Sequence, residues 1–142
     1  MTWLGILWAV AVFAGCVLWW VTNRLRIATI NGSSMAPALS DGDRVLVRRV
    51  RASTLRRGDV VMVSLVADAT RPGANPIRHV VKRVAALPGE PVPDDVPAEG
   101  MRVVPRGMLV LLGDNPSQSI DSRDLGYFRL KNVFGVVTRR LR

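Results

Sequence analysis

The sequence runs to 142 residues, enough for one small domain and little more. It carries 20 Lys+Arg against 11 Asp+Glu, a formal charge of +9, with one histidine and one cysteine. A lone cysteine excludes an internal disulfide, and with one histidine and scattered carboxylates it makes no ligand set, so neither metal nor other cofactor is expected.

Residues 1–22 contain no charged side chain, and 3–21 form a nearly unbroken apolar run. As a helix that run would reach about 28 Å, one bilayer core. Trp3 and Trp8 sit near one end and Trp19 and Trp20 at the other, as interfacial belts require. The rest of the chain is too short to enclose a helix apolar on every face, so a transmembrane anchor is predicted over a buried helix. A cleaved signal peptide fits less well, because no basic segment precedes the run and the run is too long. Phe13-Ala14-Gly15-Cys16 has a faint likeness to a lipoprotein cleavage box. The apolar run continues past it to Val21, so Cys16 is read as a lipid-facing or packing residue. The expected division is an anchor at 1–22, a juxtamembrane linker at 23–29 and a folded domain at 30–142. The basic excess would suit lipid headgroups or nucleic acid. No helix-turn-helix, RNP-type or zinc-finger pattern is present, so an anionic bilayer is the expected partner and nucleic acid is not.

Valine-rich runs follow at 44–50, 59–66, 77–87, 101–104, 108–112 and 133–141. Turn chemistry divides them at 41–43, 57–59, 88–90, 105–107 and 113–115. Short strands at this spacing, with no long amphipathic helix after residue 30 and no repeat, predict a small, mainly β domain. The segment 88–99 holds Pro91, Pro93, Pro97 and several acidic residues, and reads as an exposed loop.

In the stretch 30–39, Ser34 lies in a Gly/Ser turn that can expose a hydroxyl beside a free backbone N–H. Those are the local needs of a nucleophile and its oxyanion, although such turns are most often only turns. A nucleophilic serine needs a base, and arginine cannot serve because its pKa exceeds about 12. The lysines are Lys82 and Lys131. Strand alternation puts Lys82 on one face with Val80 and Val84, where burial would depress an ordinary pKa of about 10.4. The bland alternative is a snorkelling lysine on an edge strand. Lys131 reads as surface charge. His79 falls on the opposite face with Val81 and Arg83 and reads as structural or surface. The segment 113–126 is dense in short polar side chains: either a capped loop with an Asp121–Arg123 ion pair, or a set of partners that orients a base.

Ser34-Met35 with Pro37 and Leu39, then Arg57-Gly58-Asp59-Val60-Val61, then Lys82-Arg83-Val84 with Leu87-Pro88-Gly89, then Gly113-Asp114-Asn115 with Ser119, Asp121, Ser122, Arg123 and Gly126, make four ordered blocks. Together, behind an N-terminal anchor, they resemble the bacterial type I signal peptidase family, whose members are membrane serine proteases with a Ser/Lys dyad. The resemblance implies a small signal-peptidase-like β domain behind one N-terminal transmembrane helix. It implies Ser34 as nucleophile, Lys82 as general base and Ser119 as the residue that holds the lysine amine. Asp121 and Arg123 would form a supporting ion pair, with Asp114 structural nearby. The oxyanion would be held by the Ser34 N–H and a second donor. In some members that donor is a serine hydroxyl two residues upstream, but this chain has Gly32 there. Either a backbone N–H in the Gly32–Ser33 region takes its place, or the hole is weaker.

The implied substrates are precursor proteins with small residues, of the Ala-x-Ala kind, before the cut. They would lie extended along 30–33 and 80–82, with shallow pockets near Ile30, Asn31, Met35, Val80 and Val81. The family's endoplasmic-reticulum branch uses histidine as base, whereas Lys82-Arg83-Val84 matches the bacterial form. The resemblance implies a single-pass cell-membrane protein with its catalytic domain on the extracytoplasmic side. Arg24 and Arg26 pull the other way, because positive charge following the anchor favours a cytoplasmic domain. Two further readings are a dedicated maturation protease for one secreted or modified peptide and a non-catalytic basic module that binds the membrane surface.

Overall fold

The apolar N-terminal run forms one helix, α1 (Trp3–Arg24), in the computed structural model, which describes residues 3–66, 77–97 and 100–141. None of its residues is buried, and it is long and apolar enough to cross a membrane. Cys16 is exposed on it. Arg24 closes its last turn, where a cation offsets the negative end of the helix dipole.

The chain then runs through β1 (Leu25–Thr29), β2 (Arg44–Arg48), β3 (Val60–Val66), β4 (Ile77–Ala86) and β5 (Met108–Leu112). The single-turn helix α2 (Ser122–Leu125), β6 (Phe128–Arg129) and β7 (Val133–Leu141) complete it. These strands make one antiparallel sheet in the order β1-β2-β7-β3-β4-β5-β6. The mainly β fold expected from the valine runs is the fold found.

Strand β3 shows why those runs are so apolar. Val61 and Val63 face one cluster with Val84, Leu109 and Leu111, while Met62 faces a second with Ile30, Met35, Val45 and Val47. A strand covered on both sides reads as a continuous apolar run. Each fully buried valine contributes about 1.5–3 kcal/mol. The same alternation sends Val80 and Val84 of β4 to the first cluster and Val81 to the second.

Three expectations change. Residues 25–29, expected within a linker, are strand β1, paired with β2 from Leu25↔Arg48 to Thr29↔Arg44. This edge strand is held by main-chain bonds and buries little side chain, so it leaves no apolar alternation to read. Residues 101–104 do not form a strand. Their pairing narrows to one bridge, Pro91↔Val103, because proline lacks the N–H a ladder requires. The segment 88–99 is not simply an exposed loop: Val92 and Val96 pack into a third cluster with Ala86, Val104 and Val110. Residues 1–2 of the expected anchor and 98–99 of the expected loop lie outside the described residues.

Candidate active site

Ser34 lies in a turn pinned from three directions. Met35 and Leu39 anchor it from below in the second cluster. At its base the Ile30 N–H donates to the Asp43 carbonyl, and the Gly42 N–H to the Ile30 carbonyl, both at 2.8 Å. From the side, the Asn115 N–H donates to the Ser34 carbonyl at 3.0 Å, and the Asn115 amide to the Ser33 carbonyl at 3.2 Å.

Gly113 makes that clamp possible. A Cβ there would collide with Ser119 Oγ and stand 2.6 Å from Ser119 Cβ and 2.7 Å from the Ser34 carbonyl oxygen. The backbone leaving β5 therefore passes between the serine turn and Ser119, where only glycine fits. Gly113→Ala is expected to cost about 2–3 kcal/mol. By shifting Ser34 against Lys82, it should also lower kcat by at least about tenfold. Thermal melting and peptide hydrolysis check the two effects separately.

Lys82 is buried on β4, 4% exposed. Its Nζ donates to Ser119 Oγ at 2.8 Å, and Ser119 Oγ donates to Asp121 Oδ2 at 2.6 Å. A hydroxyl has one proton, and Ser119 gives it to Asp121, so toward Lys82 it can only accept. The contact therefore uses a lysine N–H and leaves the lone pair of a neutral amine free. Burial pushes the Lys82 pKa below its ordinary value; Asp121 opposes this, Arg123 adds to it and Asp124 opposes it.

Asp121 is fully buried and caps α2 in a capping box with Asp124. Its carboxylate accepts from the Gly113 N–H at 2.8 Å and from Arg123 Nη2 and Nε at 2.6 and 3.0 Å. Burial alone would raise its pKa. The bonds from Arg123, Gly113 and Ser119 outweigh burial and hold it well below the usual carboxylate range. The ion pair expected between Asp121 and Arg123 is present. Asp114 forms a two-pronged pair with Arg83, at 2.8 Å from Nε and 2.6 Å from Nη2. Arg83 Nη1 also donates to the Gly58 carbonyl at 2.9 Å, so the 57–59 turn, β4 and the 113–119 loop are tied together.

Ser34 and Lys82 border one cleft of about 90 Å³, together with Ile30, Asn31, Met35, Val80 and Val81. The five residues expected to contact substrate thus meet at a single place. No hydrogen bond joins Ser34 Oγ to Lys82 Nζ among the described residues. In enzymes such contacts commonly tighten only when substrate enters. Strand β4 pairs with β5 from Arg83 onward, so among the described residues its edge over 79–82, which borders the cleft, has no strand partner. His79 lies exposed at the cleft border, with Nδ1 at 3.1 Å from Ser64 Oγ, and Lys131 is exposed elsewhere.

The Gly32 N–H is already engaged, donating to Asp41 Oδ1 at 2.6 Å. The N–H groups of Ser33 and Ser34 and the Ser33 hydroxyl have no acceptor among the described residues. Sequence reading set Arg83, Gly113 and Asn115 within its ordered blocks but gave none of them a role of its own, and it missed Asp41 as part of this site. Asp41, in an Asp-Gly-Asp turn after the serine, did carry a local signal, since aspartates there commonly bind nearby backbone N–H groups.

The family model described as "Signal peptidase, peptidase S26" matches residues 2–95 and 92–141. Mouse mitochondrial inner membrane protease subunit 2 is 36% identical over 107 residues, covering 70% of this chain and 57% of the mouse protein. Mitochondrial inner membrane protease subunit 1 of Schizosaccharomyces pombe is 31% identical over 106 residues, 71% of this chain and 63% of that protein. Signal peptidase I of Bacillus licheniformis is 30% identical over 139 residues, 75% of this chain and 70% of that protein. The chain thus spans less than two thirds of the two mitochondrial relatives.

Proposed function

The chain belongs to the peptidase S26 signal peptidase family, and from that premise we propose that it is a membrane-anchored serine endopeptidase removing signal peptides from exported precursors. The observation that carries this reading is the buried Lys82 amine, hydrogen-bonded to Ser119 and bordering the same cleft as Ser34. A precursor segment enters extended, adding main-chain bonds to the free edge of β4 at 80–82 on one side and to 30–33 on the other. The shallow cleft admits only small side chains before the cut. Ser34 Oγ attacks the scissile carbonyl while its proton passes to the neutral Lys82 amine. The Ser34 N–H and a donor from Ser33 receive the oxyanion. Collapse breaks the C–N bond, Lys82 returns the proton to the departing amine, and water releases the acyl group by the same route.

α1 spans the bilayer as a single pass and holds the cleft near the surface where a cleavage site emerges. We assign the catalytic domain to the extracytoplasmic side of the cell membrane. Arg24 and Arg26 then lie at the outer interface, and a reporter fused after Arg142 that is active only outside the cytoplasm checks this.

The test is hydrolysis of a model precursor carrying Ala-x-Ala by the full chain in phospholipid–detergent micelles. One cut after the second alanine is expected, and none with Ser34→Ala. The active amine is neutral, so kcat/KM should rise as pH climbs through the lowered Lys82 pKa and level off before the ordinary 10.5. A maximum near pH 5 or cleavage by Ser34→Ala would contradict the reading.

A further inference from the structure

Five arginines gather where α1 meets the sheet. Arg24 ends α1, Arg48 ends β2 with Arg49 next, and Arg51 and Arg56 flank the short turn Ala52–Thr54. They line a groove of about 560 Å³ whose one acidic lining residue is Asp59. That carboxylate already accepts the Arg56 backbone N–H at 2.8 Å. Among the described residues none of the five arginines forms an ion pair; the pairs present use Arg83, Arg123 and Arg140. Arg24 and Arg49 rest against the rings of Trp20 and Phe134, at 5.8 and 5.7 Å, which orients them without neutralising them.

The floor of the groove is fixed. The Arg49 N–H donates to the Arg24 carbonyl at 2.8 Å, and Leu25 pairs with Arg48 across the β1–β2 ladder. Gly135 packs so closely beneath that a Cβ would collide with the Arg48 carbonyl oxygen and stand 2.8 Å from its carbon. The groove runs on into a second hollow of about 430 Å³, sharing Arg24, Arg49 and Arg51 and reaching Trp19 and Trp20. One end is guanidinium-lined and the other indole-lined.

We infer that this groove binds the headgroup of an anionic phospholipid, with Arg48, Arg51 and Arg56 around the phosphate and Trp19 and Trp20 beside the glycerol–acyl junction. Guanidinium groups match phosphate oxygens in two-pronged geometry, and an anion relieves the mutual repulsion of five cations. The indole end selects lipid over free phosphate, because tryptophan settles at headgroup depth. The site rests on α1 spanning the bilayer and is independent of the chemistry at Ser34. A bound headgroup would set the height of the sheet, and so of the Ser34 cleft, above the bilayer.

The test reconstitutes the full chain in nanodiscs of equal phosphatidylglycerol and phosphatidylcholine, then counts lipids retained after mild detergent release by native mass spectrometry. The wild type should retain phosphatidylglycerol preferentially. Each arginine near an anionic surface is worth about fivefold, so Arg48→Gln/Arg51→Gln/Arg56→Gln should lower that preference roughly a hundredfold. Arg102→Gln/Arg106→Gln/Arg129→Gln removes equal charge elsewhere and should leave it unchanged. No preference in the wild type, equal loss in both triple variants, or displacement of the lipid by inorganic phosphate would each overturn the site. Thermal melting, not hydrolysis, certifies folding. If the triple variant melts early, the three single substitutions carry the test, each with about a fivefold loss expected.

Discussion

Replacing Lys82 is expected to lower kcat by about 10⁴-fold, the upper range for a lost general base. Lys82→Ala and Lys82→Arg should fail alike, since a guanidinium with a pKa above about 12 cannot accept the Ser34 proton. Lys82→Met separates chemistry from architecture. It keeps the stem that fills the space beside Val80 and Val84 and deletes the desolvated amine. Ser119 keeps its bond to Asp121, so no polar group is stranded. Stability should therefore stay within about 1 kcal/mol of wild type while activity disappears. A structural lysine would give the reverse: a lower melting temperature with hydrolysis largely intact. Ser34→Ala should remove hydrolysis still more completely, by about 10⁶-fold if the serine is the nucleophile.

Asp121→Ala is expected to destabilise the fold by about 3–5 kcal/mol, because it strands a partly buried guanidinium and a buried N–H together. The guanidinium is that of Arg123, and the N–H that of Gly113. Asp121→Asn is milder in volume but reverses one acceptor into a donor, at a cost of about 1–3 kcal/mol. The wild-type pKa is depressed, so Asp121 contributes stability that is fully present above its unfolded value. That contribution falls away as pH drops below 3.8. Acid unfolding monitored by circular dichroism should lose this component in Asp121→Asn. The same variant removes an anion that raises the Lys82 pKa, so the ascending limb of kcat/KM should move to lower pH. A purely structural aspartate would change the melting temperature and leave that limb in place.

Much of the fold is written locally. The valine runs of β3, β4, β5 and β7 alternate or persist because β3 and β4 are covered on both faces, and an all-apolar α1 needs no partner to be recognised. Lys82 was legible as a buried candidate because Val80 and Val84 share its face, and the structure buries Lys82 and Val84 and half-buries Val80. What stayed hidden depends on contacts between distant segments. Alternation put Arg83 on the face opposite Lys82 and gave no hint of Asp114, 31 residues away, as its partner. Gly113 reads in sequence as a turn glycine, yet its value lies in the space it leaves between Ser34 and Ser119. Gly32 reads as an open donor, but its N–H is occupied by Asp41. Strand β1 escaped notice because main-chain pairing, which leaves no side-chain pattern, defines an edge strand.

The proposed mechanism requires Lys82 to act as an uncharged amine toward Ser34. Its most direct test is the titration of the Lys82 amine itself, followed by NMR of the full chain carrying ¹³C at lysine Cε. Lys82 and Lys131 give two signals, and Lys82→Met identifies the relevant one. The Lys82 signal should titrate below 10.5, with its midpoint coinciding with the rising limb of kcat/KM. A Lys82 midpoint at or above 10.5, with hydrolysis already complete at lower pH, would contradict it.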